Sequence, residues 1–149
     1  MVLAALAISG AALVLHFNDS QISGVLEIRN AGSGRVYGRW QLDEPGRFAI
    51  EFTHSVNRSP VRETFQIENG MLALESVRFY AFGAGIQSDL EEGQTLSQDG
   101  DAMILFGFDF SLKKLNLIVG TGHLLLINDK TVSLEELCGR NTQITIQYR

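Results

Sequence analysis

The sequence has few of the residues that staple, break or charge a chain. A single cysteine, Cys138, allows no intrachain disulfide, so packing alone must hold the fold. In the stretch Leu134-Glu135-Glu136-Leu137-Cys138 that thiol reads as a small buried hydrophobe. Two prolines, and 15 glycines without a repeat, exclude a collagen-like or proline-rich chain. Basic residues number 12 against 17 acidic ones, a formal charge of -5, which argues against any nucleic-acid partner. Three histidines, at positions 16, 54 and 123, lack the spacing of a metal site, and no metal or other cofactor is expected. No apolar run reaches the roughly 20 residues that a membrane-spanning helix needs.

The longest apolar stretch runs from Val2 to Leu15, ending at His16. Its length suits the apolar core of a signal peptide or a short anchor, although no Lys or Arg precedes it and Ile22-Ser23-Gly24 is a poor cleavage site. The alternative is a buried helix with Ala4, Ala5, Ala7, Ala11 and Ala12 on its packing face. The reading adopted is a signal or anchor segment at 1–17, followed by a β domain at 18–149, outside the cytoplasm in the periplasm or at the cell surface.

Beyond residue 18, short alternating segments separated by Gly, Asn and Asp predict an all-β domain. About nine mostly antiparallel strands are expected, forming a sandwich or a partly closed barrel. They are read at 25–29, 35–42, 47–55, 61–68, 71–80, 102–110, 115–119, 123–128 and 142–148. Leu134 to Cys138 predicts one short helical turn, capped by Ser133 and stopped by Gly139. The segment 81–101 shows no strand pattern and carries Asp89, Glu91, Glu92, Asp99 and Asp101. Phe106, Phe108 and Phe110 alternate, which places them on one strand face as core.

Two turns set a trial register in the middle of the chain. A four-residue loop Asn57-Arg58-Ser59-Pro60 would set Phe52 opposite Phe65 and His54 opposite Glu63. Asn69-Gly70 is a strong two-residue hairpin signal and would set Leu74 opposite Phe65 and Ser76 opposite Glu63, with Arg78 diagonal to it. His54, Glu63, Ser76 and Arg78 then form a polar end on an otherwise apolar face. They could bind an anion or a partner's carboxylate, or serve only to fix the register.

At these residues the sequence resembles a known bacterial family. The run Phe52-Thr53-His54-Ser55-Val56, then Ser59-Pro60-Val61, Glu63 and Phe65, and later Phe82-Gly83-Ala84-Gly85, resembles the domain of unknown function 1850. His54, Ser55, Pro60, Val61, Glu63, Gly83 and Gly85 occupy its motif positions; Gln87 stands where the family usually has proline. The resemblance implies a small exported or membrane-anchored β-rich protein. Its gene setting implies association with tripartite periplasmic transporters, whose permease or solute receptor would be the partner.

Catalysis is not expected. His54 and Ser55 are adjacent on a predicted strand and would point to opposite faces, and no Gly-x-Ser-x-Gly elbow exposes a serine. Gly83-Ala84-Gly85 could cradle an anion or simply turn the chain. The expected site comprises His54, Ser55, Glu63, Ser76, Arg78, Gly83 and Gly85. It belongs to an accessory module acting by protein contact, or alternatively to a binding protein for a small anion or organic acid.

Overall fold

A computed structural model describes residues 24–56, 58–80 and 90–149. The segment at 1–17 and the motif Gly83-Ala84-Gly85 lie outside the described residues. The elements run β1 (Val25–Asn30), β2 (Val36–Gln41), β3 (Arg47–Thr53), β4 (Pro60–Glu68), β5 (Met71–Phe79), β6 (Thr95–Asp99), β7 (Ala102–Phe106), β8 (Ser111–Leu112), β9 (Leu115–Ile118), β10 (Leu124–Ile127), β11 (Lys130–Ser133), α1 (Leu134–Cys138) and β12 (Gln143–Tyr148). Every strand pairing is antiparallel. The smaller sheet has the order β2-β1-β12-β9, and the larger β11-β10-β3-β4-β5-β7-β6 with β8 also on β5. Neither sheet closes into a barrel, which makes the architecture a sandwich. No helix among the described residues is long and apolar enough to cross a membrane.

The core lies between the sheets because alternate side chains of each point inward. Leu26, Ile28, Ile144 and Ile146 of the small sheet meet Phe48, Ile50, Phe65, Leu72, Leu125 and Ile127 of the large one. Burying one such side chain contributes about 1.5–3 kcal/mol. Phe48 and Phe65 are cross-strand partners with stacked rings, centroids 5.3 Å apart. A smaller cluster of Val61, Phe79 and Leu105 is packed by Phe52, Val77, Leu96, Met103 and Phe108. The helical turn forms as its caps dictate: Ser133 Oγ accepts from Glu136 N, and Gly139, at φ 88°, donates to the Glu135 carbonyl. Cys138 packs against the main core, and burial pushes its thiol up to about 11.

Three short strands are additional to the nine expected. β6 and β7 form a hairpin across Gly100-Asp101, with Gly100 at φ 61°, inside the segment that shows no strand pattern. β10 and β11 turn at Asn128-Asp129, both in the left-handed region. β8 is a two-residue pairing on β5. The phenylalanine row is also corrected. Its strand ends at Phe106, and Gly107 turns with φ 82° where an added Cβ would lie 2.2 Å from the Gly93 carbonyl oxygen. Phe108 joins the smaller cluster while Phe106 and Phe110 are exposed, so the three do not share a core face.

The trial register is overturned at two places. Phe52 faces Val61 instead of Phe65, and Glu63 faces Ile50 instead of His54. Pro60 is the first residue of β4, a position where its missing N–H costs no ladder bond, and the connecting loop runs from His54 to Ser59. On the other side, the Asn69-Gly70 hairpin forms as expected, with both residues at positive φ and Leu74 opposite Phe65. A β-bulge then follows between Thr64 and Phe65: Glu75 is the extra residue, and Ser76 faces Thr64, Val77 faces Glu63, and Arg78 faces Arg62.

Candidate functional site

The bulge decides which expected site residues can meet. Side chains of directly paired residues share a face, so Glu63 points inward with Ile50 and Val77, whereas Ser76 and Arg78 point outward with Thr64 and Arg62. Glu63 and Arg78 therefore lie on opposite sides of one sheet. The four-residue polar end does not assemble, although its members stay at the same end of β3, β4 and β5.

His54 sits at the start of the β3–β4 loop and organises it. Its backbone N–H donates to the Ser59 carbonyl at 2.9 Å and its carbonyl accepts from Arg58 N at 2.9 Å. Its Nδ1 accepts from Val56 N at 3.2 Å, which keeps the proton of a neutral ring on Nε2. Arg58 takes φ 54° to close the turn. Ser55 is exposed, and Val56 at the loop tip is 67% exposed.

Glu63 is half-buried between the two apolar clusters. Burial raises its pKa, because no cation on its face offsets the loss of water. A carboxylate in that position costs stability, and such a cost is often retained for function.

Outside, the face is a ladder of one-to-one ion pairs. Arg62 Nε donates to Glu51 Oε2 at 2.9 Å, Arg78 pairs with Asp99 at 2.6 Å, and Arg47 pairs with Glu75. The hydrogen bond to Asp99, then that to Tyr80, raises the Arg78 pKa further, and its guanidinium stands 5.8 Å from the Tyr80 ring centre. Glu51, Pro60, Arg62, Arg78 and Tyr80 line a shallow depression of about 190 Å³ at the root of the His54 loop. Among the described residues no three His, Cys, Asp or Glu side chains converge as a metal site would need. His123 is half-buried beside the start of β10: its Nδ1 accepts from Gly120 N at 3.1 Å, its ring stands edge-on to Phe52, and burial lowers its pKa.

A second polar cluster, which reasoning from the sequence missed, occupies the outer face of the small sheet. Glu27 is only 1% exposed, yet it lies opposite Arg39 on one neighbour and Gln147 on the other. Its carboxylate accepts from Arg29 Nε at 2.9 Å, Arg39 Nε at 2.8 Å and Gln147 Nε2 at 2.9 Å, with Arg149 Nε at 3.4 Å. Burial works strongly against the charge, but hydrogen bonds from Gln147, Arg29 and Arg39 together outweigh it and hold the carboxyl at about 2. The signal available was the alternation Leu26-Glu27-Ile28-Arg29, which puts acid and base on one face.

No curated protein and no solved structure matches the chain. A family model does, over residues 48–134, from the second residue of β3 to the first of α1. The match takes in every strand of the large sheet and leaves β1, β2 and β12 outside. It covers more than half of the sequence and includes His54, Ser55, Glu63, Ser76 and Arg78. The chain thus belongs to the family described as Domain of unknown function (DUF1850).

Proposed function

We propose that the protein is a non-enzymatic binding module, exported or anchored outside the cytoplasm through its N-terminal segment. In this reading it contacts the permease or the solute receptor of a tripartite periplasmic transporter. The contact surface is the His54–Ser59 loop with the outward Arg62, Arg78 and Tyr80 at its root. The observation that carries the reading is the apolar Val56, 67% exposed at the tip of a loop fixed by its own hydrogen bonds. A single exposed valine means little by itself. At the base of the same loop Pro60 lines a depression with Tyr80 and the cross-strand pair Arg62 and Arg78, so an apolar tip stands on a charged base, the usual layout of a protein contact. The arrangement favours a macromolecular partner over a small organic acid, because Arg62 and Arg78 already hold Glu51 and Asp99 and a small anion would have to displace them.

The test is an affinity pull-down of tagged full-length protein from mildly solubilised native membranes, with folded Val56→Asp and Arg78→Ala baits alongside. Recovery of a transporter subunit that both substitutions abolish supports the reading. Recovery unaffected by either overturns the surface, and a well-folded bait that retains no specific protein overturns the module in favour of a small-ligand binder.

A further inference from the structure

The cluster around Glu27 has more cation than its carboxylate can use. Three guanidiniums converge on one acid, and each presents five N–H donors in a planar fork against two carboxylate oxygens. Arg29, Arg39 and Arg149 are 26%, 59% and 55% exposed, so their unused N–H edges open to solvent while Glu27 is sealed beneath them. At the described strand positions of this face Glu27 is the only acid; besides the arginines, its polar neighbours there are Gln41, Asn116, Gln143, Thr145 and Gln147. Even with an α-carboxylate at Arg149 counted against it, the patch stays positive on a chain whose formal charge is -5. Where Thr145 pairs with Arg29, a depression of about 550 Å³ begins, lined by Lys114, Asn116, Gln143 and Thr145 with no carboxylate. On the large sheet, by contrast, each outward arginine that holds an acid has one of its own.

We propose that the outer face of the small sheet binds a phosphate-type anion, held by Arg29, Arg39 and Arg149, with Glu27 as the positioning residue that aims their forks. A buried carboxylate suits that role because it fixes the arginines in advance, so binding the anion costs little side-chain entropy. The site lies outside the residues matched by the family model. Two sources of phosphate, a lipid headgroup and the free anion, share this chemistry, and chain length brings the first within range. Val25 opens β1, and residues 18–24 alone separate it from the segment at 1–17, a link that spans at most about 25 Å. If that segment enters a membrane, a lipid headgroup is within reach of the arginines. The anion site itself does not depend on the segment or on the proposed transporter contact.

Full-length protein in neutral-detergent micelles tests this in two arms. One titrates inorganic phosphate at constant ionic strength; the other dopes the micelles with phosphatidylglycerol, with phosphatidylcholine as control. The readouts are the thermal midpoint and the fluorescence of Trp40, the single tryptophan, which follows Arg39 on β2 and packs on the core side of the same strand. A saturable rise in midpoint is expected. Its half-saturation should move at least tenfold higher in the Arg39→Gln/Arg149→Gln double variant and stay unchanged in Arg47→Gln. Response to phosphatidylglycerol alone assigns the site to a membrane headgroup, and response to inorganic phosphate in equal measure assigns it to the free anion. Silence in both arms, or a response that survives the double substitution or is lost equally in Arg47→Gln, overturns the proposal. Should the double variant not fold, Arg149→Gln alone decides on the same criterion, since it removes only the 3.4 Å contact.

Discussion

Both outer faces of the sandwich set arginine beside carboxylate, but they do so in different proportions and depths. On the small sheet one buried acid gathers three arginines; on the large sheet Arg47, Arg62 and Arg78 each take one partly exposed acid. The physical consequences diverge. An exposed pair gains about 0–1 kcal/mol, because water and salt screen it and both side chains lose freedom. A carboxylate removed from water cannot stay charged unless its partners are complete, so its loss strands the arginines packed over it. The small-sheet cluster is thus a stability element as well as a candidate binding surface, whereas the large-sheet ladder is surface chemistry available for contact.

That contrast can be broken by measurement. The largest effect is expected from Glu27→Gln, about 2–4 kcal/mol of stability lost in urea unfolding at neutral pH. Acid should erase the same difference. The Glu27 carboxyl moves from an ordinary 4.5 to about 2 on folding, so its stabilisation is complete above about pH 5 and is lost as pH falls toward 2. On the order of 2–3 kcal/mol should disappear over that range, and unfolding curves of parent and Glu27→Gln should converge at about pH 2. The lowered His123 contributes separately: below its ordinary 6.5 the unfolded chain takes up a proton that the folded chain resists, so a first, smaller loss precedes the carboxylate's.

Glu63→Gln sharpens the comparison with an opposite sign. Its carboxyl is raised by burial, so folding is favoured when it is protonated and that advantage is lost as pH rises past 4.5. At pH 7 the amide should therefore stabilise by about 0.5–1 kcal/mol; a destabilised variant would mean that the carboxylate has a stabilising partner. The smallest effect is expected from Arg47→Gln, under about 0.5 kcal/mol and absent in 1 M salt. A loss as large as that of Glu27→Gln would remove the distinction between the two faces.

The strand sequence and the helical turn were legible because their signals are local: alternation, Asn69-Gly70, and the Ser133 and Gly139 caps. The short hairpins were not. β6 is Thr-Leu-Ser-Gln-Asp, with Leu96 as its only large apolar side chain, and Asn128-Asp129 turns without the glycine that marks most such turns. The site was misassembled for a reason that the residues do record. Leu72 and Leu74 fall at even positions, Val77 and Phe79 at odd ones, and that change of phase is a bulge written into the apolar pattern. Carrying one phase through the strand turned Ser76 and Arg78 inward. The loop length, by contrast, had no local signal: the Phe48–Phe65 stack, a contact between residues on different strands, accompanies the register that was adopted.

Residues 24 and 149 meet at one corner of the sandwich. Gly24 N–H donates to the Tyr148 hydroxyl at 2.7 Å, Val25 and Arg149 exchange backbone hydrogen bonds, and a Cβ on Gly24 would stand 2.2 Å from the Arg149 carbonyl oxygen. Because β1 and β12 run antiparallel from that point, tension between residues 24 and 149 would load their ladder one rung at a time, as a zipper rather than in shear. Mechanically the domain is therefore weak against a pull that separates residues 24 and 149. A pull between those residues would open the Val25–Arg149 rung first and the Glu27–Gln147 rung next.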